Sequence, residues 1–101
     1  MQLAIFGYDT PAEFQAAQGR PVTGEWDEPT ADRAAEIIAQ IQTITAPYTP
    51  HPQEPNGVAD NYTRAAICRW QLHYNITPDG IARADTLAAM GIVKEAGYAD
   101  I

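Results

Sequence analysis

The sequence predicts an all-α fold: a small helical bundle of three main helices plus a short C-terminal helix, built from repeated helix-turn units. Three observations carry that prediction. Apolar residues recur at helical spacing, first at Ala34, Ile37, Ile38, Ile41 and Ile44, then at Ala66, Ile67, Trp70 and Tyr74. No stretch alternates apolar and polar residues as a half-buried strand would. A six-residue interval from Gly to Thr occurs three times, at Gly24 and Thr30, Gly57 and Thr63, and Gly80 and Thr86.

The first helix begins at Thr10-Pro11-Ala12-Glu13, where a Thr cap, a Pro at the first helical position and a Glu three residues past the cap mark a start. Gly19 stops it. The second and longest starts at Thr30 and ends before Ala46-Pro47. The third starts between Asn61 and Thr63, with Tyr74 on its core face and Asn75 taking the left-handed stop position. A short fourth follows Thr86, from Leu87 to Met90, closed by Gly91. Between the second and third helices, residues 46–57 hold Pro47, Pro50, Pro52 and Pro55, through which no helix passes. This is an ordered loop with Tyr48 as its aromatic anchor.

The chain has 101 residues, of which 46% are hydrophobic and 19% charged, so it is one small domain able to bury a core. Six Lys and Arg stand against 13 Asp and Glu, a net charge of -7. That excludes a sequence-independent grip on nucleic acid or on an anionic membrane, both of which need clustered basic residues. Its single cysteine, Cys68, permits no internal disulfide and reads as a small core residue. The first six residues, Met1-Gln2-Leu3-Ala4-Ile5-Phe6, lack the basic flank and length of a signal peptide. Localisation is otherwise open.

A shift of 56 residues places Phe14-Gln15 on Trp70-Gln71, Gly19 on Asn75, Gly24 on Gly80 and Thr30 on Thr86. Ile41-Gln42, Gly57 and Thr63 form a copy between them. In each unit the apolar residue anchors a helix in the core. The neighbouring Gln, being Gln15, Gln42 or Gln71, reaches a turn and bonds its unpaired backbone groups. The Gly supplies a positive φ, and the Thr hydroxyl caps the next helix.

These residues resemble the peptidoglycan-binding domain family, a small three-helix module attached to many cell-wall hydrolases. The matching positions are Thr63, Ala66, Ile67, Trp70, Gln71, Asn75, Ile76, Asp79, Gly80, Ile81 and Thr86, preceded by Ile41-Gln42 and Asn56-Gly57-Val58. Three departures stand out: Trp70 replaces the usual Phe, Arg83 stands where the family often has a second Gly, and the proline-rich loop is inserted. The resemblance implies one full module over residues 31–101, with the loop at 46–57. Residues 1–30 form a preceding half-repeat packed on it, because Phe14 and Trp26 would otherwise be exposed.

No constellation supports catalysis, and the expectation is a protein that is not an enzyme and needs no cofactor. The two histidines, His51 and His73, lack the spacing of a zinc site, and no metal is expected. No serine is present to serve as nucleophile. Carbohydrate recognition needs only aromatic faces and a few amide or charged groups, for which Trp26, Tyr48, Tyr62, Asn61 and Arg83 are candidates. The resemblance implies non-catalytic binding of peptidoglycan or another cell-wall glycan, with delivery by a phage particle or lysin. The alternative is a small acidic phage or bacterial protein that inhibits a partner by binding its basic surface. A third reading is one domain of a larger hydrolase.

Overall fold

The computed structural model describes residues 2–50 and 54–92. Helix α1 (Pro11–Ala17) starts as the sequence predicts, with the Thr10 hydroxyl accepting from the Glu13 N–H. Its end is closed by Gly19 at φ 73°, with the Arg20 N–H bonded to the Gln15 carbonyl. Helix α2 (Glu28–Thr45) begins earlier than its expected start at Thr30. The cap is Asp27, whose carboxylate accepts from the Thr30 N–H at 3.0 Å. Asp60 caps α3 (Asn61–His73) in the same way, accepting from the Thr63 N–H. Thr30 and Thr63 are therefore not caps but the third residues of their helices, each with its hydroxyl on the capping Asp.

At the start of α4 (Ala84–Ala89) Arg83 holds the cap position and its side chain caps nothing. Thr86 again lies inside the helix, and α4 starts and ends ahead of the expected Leu87 to Met90. Helix α2 ends because Pro47 cannot continue it, and the chain tightens into a 3-10 turn at Ala46–Tyr48. Asn75 takes φ 58° after α3, and the Ile76 N–H closes onto the Gln71 carbonyl at 2.8 Å. The described residues contain no strand. Residues 51–53, which include His51 and Pro52 of the expected loop, and residues 93–101 lie outside the described part.

One apolar cluster joins every helix: Phe14 of α1, Ile37, Ile38 and Ile41 of α2, Ile67 of α3 and Leu87 of α4. Each of these isoleucines is fully buried, worth about 1.5 to 3 kcal/mol apiece. Leu3, Ile5 and Phe6, around a 3-10 turn at Ala4–Phe6, belong to the same cluster. They are tied in by the Ala82 N–H, which donates to the Ile5 carbonyl at 2.7 Å. Phe6 stacks on Phe14 with ring centroids 5.4 Å apart. Tyr74, expected on the core face of α3, is instead half exposed, because the helix ends one residue earlier and the ring leaves its helical position. Cys68 is only partly buried, its thiol lying against the Pro78 carbonyl.

Two of the repeated glycines meet different surroundings, although both lie in the left-handed region. A Cβ on Gly80 (φ 74°) would come within 3.0 Å of the Cys68 Sγ and 3.1 Å of the Arg64 carbonyl, whereas one on Gly24 (φ 77°) would meet nothing within 4 Å. Gly24→Ala should cost about 1 kcal/mol, the left-handed penalty alone. Gly80→Ala should cost about 2 to 3 kcal/mol, because the turn must also move off α3. Thermal melts of the two variants check this; coincident curves would show that the third turn does not rest tightly on α3.

Candidate functional site

Each helix-connecting turn is organised by one buried glutamine. Gln42 Nε2 donates to Asn56 Oδ1, the Val58 carbonyl and the Thr63 hydroxyl at 3.0 to 3.1 Å. Its Oε1 accepts from the N–H groups of Asn56 and Gly57 at 2.9 and 3.0 Å. Gln15 repeats this with the Thr23 hydroxyl, the Glu25 carbonyl and the Thr30 hydroxyl, and it accepts from Thr23 and Gly24. Gln71 does so with Asp79, the Ile81 carbonyl and the Thr86 hydroxyl, accepting from Gly80. A primary amide fits this place because it carries two donors and an acceptor on one short, uncharged group. Among the described residues no buried side-chain nitrogen or oxygen lacks a partner.

The three turns differ at their rims. Glu25, Asp27 and Glu28 make the first acidic. The Asp27 carboxyl is held below the ordinary carboxylate range, chiefly by the Thr30 hydroxyl and N–H. At the third turn the Ile81 N–H, and then the Arg83 guanidinium, hold Asp79 down in the same sense. The second turn carries the long loop: Gln42 reaches 14 residues to Asn56, where Gln71 reaches 8 to Asp79.

The five residues expected to contact a ligand are not gathered at one point. Trp26 is half-buried, with its ring 6.5 Å from Phe14 against the core. Arg83 is exposed and paired with Asp79. Asn61 is the first residue of α3 and lines a groove of about 280 Å³ with Gln2, Ile5, Asp60 and Arg64. Tyr62 is 62% exposed beside the turn that carries Tyr48, next to a cleft lined by Thr45, Ala46 and Thr49.

Tyr48 stands in an aromatic patch that the sequence reading missed. Its hydroxyl lies 2.8 Å from that of Tyr74, and its ring is 4.9 Å from His73. The bond to Tyr74 pushes the Tyr48 phenol above its ordinary pKa. Tyr74 in turn packs on the buried Trp70, with ring centroids 4.6 Å apart. Helical period placed Tyr74 in the core and gave His73 no role, so only the observed helix end reveals the patch. The groove beside Asn61 was missed for another reason: one wall is the N-terminal segment, too short for any periodic signal.

Among the described residues no three His, Cys, Asp or Glu side chains are grouped to hold a metal ion, and no helix is long and apolar enough to cross a membrane. A family model described as "Putative peptidoglycan binding domain" matches residues 38–90, just over half of the chain. Neither curated proteins nor solved structures give a match. The matched segment contains the second and third glutamine-centred turns and the residues of the aromatic patch.

Proposed function

The chain belongs to the peptidoglycan-binding domain family, and from that premise we propose that it is a non-catalytic module holding bacterial cell-wall peptidoglycan against its helix ends. The observation that carries this reading is the family match over residues 38–90. The same reading makes residues 1–30 the half-repeat that completes the module of residues 31–101, in keeping with a core shared by Leu3, Phe14 and Ile67. Tyr48 and Tyr62 are the glycan-stacking residues of this proposal: Tyr62 is exposed on α3, and Tyr48 is the half-buried member of the aromatic patch after the end of α2. Asn61 supplies an amide to sugar hydroxyls in the neighbouring groove, and Trp26 and Arg83 serve the rims of the first and third turns.

Co-sedimentation with insoluble peptidoglycan sacculi at two salt concentrations tests the reading. The chain carries a net charge of -7, and cell walls are often anionic, so binding should hold or strengthen as salt screens the repulsion. A Tyr48→Ala, Tyr62→Ala double variant should bind about tenfold more weakly, the loss of two modest stacking contacts. No sedimentation of the unmodified chain at either salt would overturn the proposal.

A further inference from the structure

The three turns share their internal hydrogen bonds but not their outer ones. At the second turn the side-chain amide of Gln2 docks from outside: Nε2 donates to the Gly57 carbonyl at 3.0 Å, and Oε1 accepts from the Ala59 N–H at 2.7 Å. At the third, the N–H of Ala82, which corresponds to Ala59, donates to the Ile5 carbonyl. The N-terminal segment thus supplies an amide oxygen to the same N–H in two of the three turns. In the first turn the corresponding groups are the Gly24 carbonyl and the Trp26 N–H, and neither has a partner among the described residues. A Cβ on Gly24 would meet nothing within 4 Å, whereas one on Gly57 would come within 2.9 Å of the Ala35 carbonyl.

We propose that the first turn is a binding site for a primary carboxamide, which donates to the Gly24 carbonyl and accepts from the Trp26 N–H as Gln2 does at the second turn. The surroundings select the neutral group. Glu25, Asp27 and Glu28 flank the pair, so a carboxylate is repelled, and it also has no proton to give the Gly24 carbonyl. The site lies at the opposite end of α2 from Tyr48 and forms a second contact with the polymer. The inference rests on the peptidoglycan reading, which supplies the source of the group: an amidated carboxyl on a stem peptide.

The test is an NMR titration of the full-length 15N-labelled chain with N-acetylmuramyl-L-alanyl-D-isoglutamine, which carries a primary carboxamide, and with its free-acid counterpart ending in D-glutamate. The Trp26 N–H resonance, and that of Glu25 beyond the Gly24 carbonyl, should move with the carboxamide form. The acid form should bind at least tenfold more weakly. Trp26→Pro removes the backbone donor and should lose the preference. The titrations of the unmodified chain stand even if the proline variant melts early. Equal response to the two forms, or none at Trp26, in a chain that still sediments with sacculi would overturn the carboxamide site and leave the peptidoglycan reading intact. No response and no sedimentation would overturn both.

Discussion

Removing residues 1–8 should abolish cooperative folding of the rest of the chain. Leu3, Ile5 and Phe6 are each no more than 3% exposed and sit in the cluster that joins all four helices. At about 1.5 to 3 kcal/mol per buried side chain, their loss removes roughly 6 kcal/mol of apolar burial. A domain of this size is stabilised by only about 5 to 15 kcal/mol in all. The deletion also frees the Ala82 N–H and breaks the two bonds of Gln2. Circular dichroism melts of residues 9–101 should show a broad, shallow transition. A sharp transition within 5 °C of the full chain would show that the N-terminal segment is an accessory. Phe6→Ala offers a milder test on the intact chain, with an expected cost of about 3 to 5 kcal/mol.

The second large effect is expected at Gln42. Truncation to alanine deletes five hydrogen bonds at once and leaves the buried Gly57 N–H without its partner. Unsatisfied buried groups cost about 1 to 3 kcal/mol each, partly relieved if water enters, so Gln42→Ala should lose about 3 kcal/mol in urea denaturation. Gln42→Glu should fare no better. Its carboxylate still accepts from Asn56 and Gly57, but it cannot donate to the Val58 carbonyl or Thr63, and it carries a charge into a site 4% exposed. A loss below 1 kcal/mol for the alanine variant would mean that the turn holds itself together without the glutamine.

What the sequence disclosed and what it hid follow from the range of each signal. The Gln, Gly and Thr of a unit were legible because a left-handed turn and a side chain able to bond its backbone are local demands repeated at fixed spacing. The caps were misread because Thr is itself a good capping residue, and nothing in Asp27-Glu28-Pro29-Thr30 alone tells which hydroxyl or carboxylate stands at the first open N–H. Arg83, which breaks the Asp-x-x-Thr pattern in the third unit, hid the pattern further. The core role of Leu3, Ile5 and Phe6 depends on contacts with residues far along the chain and leaves no periodic trace in so short a segment. Tyr74 failed for the opposite reason: its period matched the core, but the helix carrying that period had already ended. Trp26, Tyr48, Tyr62, Asn61 and Arg83 are each a candidate by chemistry, and chemistry alone does not say which of them are neighbours in space.

The middle glutamine grips Asn56 and the residues after it, and the 3-10 turn at Ala46–Tyr48 fixes the other end, so the chain between them contributes none of the bonds made by Gln42. Its length is decoupled from the geometry it connects. The outer two units close the same kind of glutamine-centred turn with a connection six residues shorter, so the architecture already exists in short and long forms. Doubling such a segment costs only about 0.6 kcal/mol in closure entropy. Lengthening or shortening this connection should therefore leave the bonds made by Gln42 in place.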